Sequence, residues 1–172
     1  MSESTINIIY ISIEGNTRSF VTGMQDYAKT QHAADDSNPL ITLKEITEQS
    51  DFAIETEPYF AFVPTYLDGG NGIDNGVKEL MTNVLGEYLN YDQNSRFCLG
   101  VVGSGNRNFN DQYCLTARRY AEQLDTDMIA DYELRGTAVD TERVYNVMKD
   151  RLAAYLDLSL IHIWRCRRST LC

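Results

Sequence analysis

The chain of 172 residues, 43% of them hydrophobic, is one domain by size, and a domain of about 150 residues buries roughly 68–70% of its unfolded surface without staples. With 15 Lys and Arg against 25 Asp and Glu, its formal charge of −10 argues against a nucleic-acid backbone or an anionic membrane as the main partner. No apolar run approaches the roughly 20 residues needed to cross a bilayer, and four cysteines with no C-x-x-C pair and no N-terminal leader point to a reducing cytoplasm.

Ile6-Asn-Ile-Ile-Tyr-Ile11 is a β-rich run that breaks into Ser12-Ile-Glu-Gly-Asn-Thr17 before apolar residues resume at helical spacing. Phe20, Val21, Met24, Tyr27 and Ala28 then make one stripe of an amphipathic helix, read as core. Residues 29–39 are polar, a helix end and loop, with His32 most simply in solvent. Leu40-Ile-Thr-Leu-Lys-Glu-Ile46 alternates as a half-exposed second strand, and the wholly apolar Tyr59-Phe-Ala-Phe-Val63 reads as a central strand covered on both faces. Thr65 to Gly76 holds four glycines in twelve residues and precedes a helical stretch over 77–89, buried through Leu80, Val84, Tyr88 and Leu89.

Phe97 to Val102 is a buried fourth strand, and Gly103-Ser-Gly-Asn-Arg-Asn-Phe109 is too rich in Gly and Asn to continue it. Tyr113, Ala117, Tyr120, Ala121 and Leu124 mark the next helix, with Asn110 or Asp111 as its cap. Met128 to Leu134 is a fifth strand, and Val144, Val147, Met148, Leu152, Tyr155 and Leu156 define the last helix. Cys98 and Cys114 read as packing. Alternating strands and helices predict an α/β doubly wound sheet of five parallel strands with helices on both faces.

The segment Leu158 to Cys172 departs from the rest, with three Arg, no acid, the single Trp and two of the four cysteines. Leu158 to Ile163 and Arg165 to Arg168 resemble the translation of a transposon-end sequencing adapter, with an opal stop read as Trp164. The domain is therefore expected over 1–157, with 158–172 a non-native, disordered read-through tail. A basic docking tail is the alternative.

Three loops carry the chemistry. Hydroxyls from Ser12 and Thr17, Gly15 and the first helical N–H groups converge where an anion is favoured; an ordinary N-cap is the competing reading. No Walker lysine is present, so a monoester phosphate fits better than a triphosphate. The first, third and fourth strands all end in Gly-, Ser- or Asn-rich loops, and in the order 2-1-3-4-5 these flank the switch point where ligands bind. A phospho-receiver needs acids where Ser12 and Thr65 stand. A dinucleotide fold needs G-x-G-x-x-G after its first strand, whereas Gly103-Ser-Gly105 follows the fourth.

Ser12 to Phe20, Glu57 to Tyr66, Gly69-Gly-Asn-Gly72, Gly103 to Phe109 and Tyr132-Glu-Leu-Arg-Gly136 together resemble the NrdI family, flavodoxin-like accessory proteins of class Ib ribonucleotide reductase. The likeness spans about Thr5 to Leu156; G-S-G-N-R-N-F is its most specific motif, and the loop from Thr65 to Gly76 resembles the Gram-positive type. The resemblance implies FMN, with Ser12, Glu14, Gly15, Asn16 and Thr17 around its phosphate. Tyr66, Gly69, Gly70 and Asn71 would line one side of the isoalloxazine, and Gly103, Ser104, Gly105, Asn106, Asn108 and Phe109 the other. Gly69-Gly70 is where a carbonyl would turn toward the flavin, and Asp68 and Asp74 would disfavour an anionic reduced flavin if close. Arg107 is implied at a partner or the flavin edge, with a structural salt bridge as its plainer role.

The implied activity is reaction of reduced FMN with molecular oxygen to give superoxide or peroxide, passed to the dimanganese centre of the reductase small subunit for tyrosyl radical formation. A flavin-reducing reductase feeds it. No catalytic side chain or metal ligand set of its own is expected, so the chain is a redox accessory protein rather than an enzyme with its own organic substrate. A general flavodoxin electron carrier is the alternative, and a flavin-free interaction module the third reading.

Overall fold

In the computed structural model, which describes residues 4–66 and 83–169, five strands form one parallel sheet. Strands β1 (Thr5–Tyr10), β2 (Leu40–Glu45), β3 (Tyr59–Pro64), β4 (Cys98–Gly105) and β5 (Met128–Glu133) stand in the order β2-β1-β3-β4-β5. This is the doubly wound order expected from the sequence, with the switch between β1 and β3. Helices α1 (Asn16–Ala34) and α4 (Ala138–Ser169) pack on one face; α2 (Val84–Leu89) and α3 (Leu115–Gln123) pack on the other.

The period of two along each strand divides the core. Ile6, Ile8, Phe60, Phe62 and Val102 meet Phe20, Val21 and Met24 of α1 and Val144, Met148 and Leu152 of α4. Ile9, Ala61, Val63 and Val101 meet Leu85 and Leu89 of α2 and Ala117 and Ala121 of α3. All six residues of β3 are buried, whereas β2 at the sheet edge is only half covered, as its alternation predicts. No helix among the described residues is long and apolar enough to cross a membrane.

Several boundaries differ from the sequence expectation, each for a physical reason. Strand β4 does not stop at Val102; it continues through Gly103, Ser104 and Gly105, paired with Val63 and Pro64 on one side and with Asp131, Tyr132 and Glu133 on the other. Backbone pairing on both sides outweighs the poor strand propensity of Gly. A Cβ on Gly103 would lie 2.8 Å from the Ala117 Cβ and 3.1 Å from the Cys114 Sγ, so this glycine lets α3 close onto the sheet.

Neither Asn110 nor Asp111 caps that helix. A 3-10 segment, Arg107–Gln112, intervenes, and α3 starts after Cys114, which adopts a left-handed φ of 55°. Tyr145, absent from the expected face of α4, is buried and donates its hydroxyl to Pro39 O at 2.8 Å, while the expected Leu156 is 40% exposed. His32, expected in solvent, lies with Nδ1 at 2.7 Å from Asn38 O. The expected helix over 77–82, with Leu80, lies outside the described residues.

Helix α4 runs on to Ser169, where a disordered tail was expected from residue 158. No Gly or Pro interrupts the segment, so nothing local ends the helix. Leu158, Leu160, Ile161 and Ile163 on this extension are all at least half exposed.

Two outcomes follow from this packing. Gly103→Ala should lower stability by about 1–3 kcal/mol through overpacking against α3, read as a lower urea midpoint at unchanged slope. A chain ended after Asp157 should keep its unfolding free energy within about 0.5 kcal/mol, because Leu158, Leu160, Ile161 and Ile163 are all at least half exposed.

Candidate functional site

At the carboxyl ends of β3, β4 and β5, backbone bonds extend the sheet beyond its last paired residues. Thr65 N–H donates to Ser104 O at 2.8 Å, and Leu134 N–H donates to Gly105 O at 3.0 Å. Thr116 N–H reaches Thr65 Oγ1 at 3.2 Å, tying the start of α3 to the loop after β3. The Tyr66 phenol lies against the Glu14 backbone, which joins the loop after β3 to the loop after β1; burial pushes this phenol above its ordinary range.

A cleft of about 180 Å³ opens between these loops. Of the sequence-expected site residues, Glu14, Asn16, Tyr66, Ser104, Gly105, Asn106 and Phe109 line it, joined by Pro64, Thr65 and Leu134. The switch point of the sheet therefore carries a pocket with an aromatic and aliphatic lining and carboxamides at its edge. The polar connection after β2 contributes nothing to it.

The other expected residues stand behind the cleft. Ser12 Oγ accepts from Arg18 N–H at 3.2 Å, a capping bond for α1, and Gly15 at φ 86° turns the loop into the helix at an angle that disfavours a side chain. Gly103 faces α3 rather than the cleft. Asn108 N–H donates to Asn106 Oδ1 at 3.0 Å, so the Asn pair shapes its own turn. Gly69, Gly70 and Asn71, like Asp68 and Asp74, lie outside the described residues.

Thr17, the second residue of α1, is 1% exposed, and among the described residues its Oγ1 has no hydrogen-bond partner. Nearby, the buried Tyr132 Oη lies against the Ser104 and Thr17 hydroxyls but closes a bond of good geometry with neither. Burial keeps the Tyr132 phenol protonated well above neutral pH. Buried hydroxyls without partners are uncommon and costly, and these stand directly behind a helix N-terminus whose first N–H groups are intrinsically unpaired.

Arg107 sits among acids and an aromatic ring. Its guanidinium lies 5.5 Å from the Tyr113 ring centre, 3.9 Å from Glu133 and 4.0 Å from Asp131, and Tyr113 Oη reaches Asp131 at 3.3 Å. The cluster ties the turn after β4 to β5. Cys114 packs under the same turn, and burial pushes its thiol up to about 11, which suits an inert thiol.

The turn after β5 supplies further residues that loop composition does not mark. Leu134, at a left-handed φ of 52°, lines the cleft, and Arg135 Nε donates to Asn16 Oδ1 at 2.8 Å. A second hollow of about 560 Å³, lined in part by Arg135, shares Asn16 and Leu134 with the first. The segment Tyr132-Glu-Leu-Arg-Gly136 stood out in the sequence, yet no local pattern there signals a ligand. Among the described residues no three His, Cys, Asp or Glu side chains are grouped to hold a metal ion.

The profile of the family described as NrdI Flavodoxin like matches residues 8–146. An NrdI-like protein of Streptococcus pneumoniae is 44% identical over 146 residues, covering 85% of this chain and 94% of its own. Protein NrdI of Mycoplasma genitalium is 32% identical over 90 residues, covering 52% of this chain and 56% of its own. A solved structure, general stress protein 14 of Treponema denticola in complex with FMN, aligns over 89% of this chain and 98% of that one. At 15% identity and a TM-score of 0.39 it is too distant to bear on this chain's ligand.

The unpartnered hydroxyl makes a prediction about the ligand-free protein. Thr17→Val removes a buried group that forms no bond, so it should leave stability unchanged or raise it by up to about 1–3 kcal/mol in urea unfolding without ligand.

Proposed function

Because the chain belongs to the NrdI flavodoxin-like family, we propose that it is an FMN flavoprotein that supplies superoxide or peroxide for assembly of the dimanganese-tyrosyl radical centre of a class Ib ribonucleotide reductase small subunit. The observation that carries the reading is the cleft at the switch point, backed by the unpartnered Thr17 hydroxyl at the start of a 19-residue helix.

The residues fit such a ligand. Ser12, Glu14, Gly15, Asn16 and Thr17 would hold its phosphate, where backbone N–H groups and the positive end of the α1 dipole meet an anion. In that state the Thr17 hydroxyl gains the partner it lacks. Tyr66, with Gly69, Gly70 and Asn71, would flank one side of the ring system. Ser104, Gly105, Asn106 and Phe109 would flank the other, with Gly103 and Asn108 supporting them.

When bound and reduced, FMN supplies one electron to O₂ for superoxide, or two electrons with two protons for hydrogen peroxide. The chain's own contribution is placement. Tyr66, Phe109 and Leu134 present apolar surface that excludes water, the Asn106 carboxamide stands at the polar edge, and the Leu134 N–H to Gly105 O bond holds the rim together. The proposed setting is cytoplasmic, with a flavin reductase as electron source and residues 1–157 as the functional unit.

Purified protein mixed with FMN should turn yellow and bind it at one per chain by absorbance titration. The reduced protein, added with O₂ to a manganese-loaded class Ib small subunit, should yield a tyrosyl radical by electron paramagnetic resonance. No radical, together with support of a flavodoxin-dependent enzyme, would make it an electron carrier instead.

A further inference from the structure

The phosphate loop contains no cation of its own, and the arginine adjacent to it in sequence is committed elsewhere. Arg18 reaches outward to Glu45, with Nε 3.0 Å from Oε2 and Nη2 2.5 Å from Oε1, a two-point pair that leaves its charge compensated. The cation that does touch the loop arrives from 119 residues further along the chain: Arg135 Nε donates to Asn16 Oδ1 at 2.8 Å. Among the described residues this is the one bond the Arg135 side chain makes, so its two terminal nitrogens remain available beside Asn16, where the hollow of about 560 Å³ meets the cleft.

The other charges of that hollow are already engaged. Asp140 accepts from Arg143 at 2.9 Å and from Thr137 N–H and Oγ1, each at 2.9 Å. Glu133 faces Arg107 at 3.9 Å and accepts from the Arg107 N–H at 3.4 Å. Among the described residues Arg135 is thus the uncompensated cation next to the loop, in a chain whose net charge of −10 otherwise repels an anion. Because Asn16 Oδ1 faces Arg135, the amide NH₂ of Asn16 and the helical N–H groups are left to donate to a ligand.

We propose that Arg135 is the counter-charge for the flavin phosphate and sets the preference of this protein for phosphorylated flavin over riboflavin. The inference rests on the flavin reading given above. A phosphate monoester carries about −1.5 to −2 at neutral pH, and hydroxyl and N–H donors match its shape but do not neutralise it. A guanidinium with two free nitrogens does both.

The test measures dissociation constants for FMN and for riboflavin by quenching of flavin fluorescence, in the parent chain, R135Q and R135K. R135Q should weaken FMN by about tenfold or more while riboflavin changes by less than about twofold, the difference expected for a lost charge-assisted contact. R135K, which keeps the charge without the planar fork, should fall between them, and added salt should narrow the parent's preference. A ratio in R135Q within twofold of the parent's, or an equal loss for both flavins, would assign Arg135 to loop scaffolding and overturn the proposal. A parent chain that binds neither flavin overturns the flavin reading itself, and this inference with it.

Discussion

Everything at the functional end of this protein hangs on the parallel pairing of β4 with both neighbours through Ser104 and Gly105. That pairing places the carboxyl ends of β3, β4 and β5 at one level, and the next backbone bonds, Thr65 to Ser104 and Leu134 to Gly105, carry the ladder into the loops. Loops held by ladder-type bonds are part of the sheet's rigid frame, which is what a pre-formed pocket requires. The cost of glycine in a central strand is offset because Gly103 admits α3 at close range.

The two faces of β4 divide the work. Gly103 turns toward Cys114 and Ala117, where contact is apolar and tight; Ser104 turns the other way, toward Thr17 and Tyr132. On that second side the structure tolerates hydroxyls without partners, and around the rim it holds Asn110, Cys114 and Leu134 in left-handed backbone. Each is a local cost of order 1 kcal/mol or more, sustained by the two cores beneath.

Charge is distributed by tertiary contact rather than by sequence neighbourhood. Arg18 follows the loop directly yet serves the sheet edge through Glu45; Arg107 sits in the turn after β4 and braces it against β5; Arg135, remote in sequence, touches the loop after β1. Arg18 and Arg107 brace the sheet edge and the turn after β4, whereas Arg135 engages Asn16 through Nε alone.

The order of elements, the α/β class, the five-stranded sheet and the buried stripes of α1, β3 and α3 were legible in the sequence, because hydrophobic period reports local geometry and which side is covered. The convergence of the loops after β1, β3 and β4 was legible as well, since strand order and loop composition together specify the rim. Tertiary structure alone decided that β4 runs on through Gly105, that Gly103 serves helix packing, that Thr17 Oγ1 has no partner, and that Arg135 rather than Arg18 meets Asn16. Period and composition describe a residue by its neighbours in the chain, whereas these four facts are set by atoms from other elements of the fold, brought together only when the sheet and its helices close.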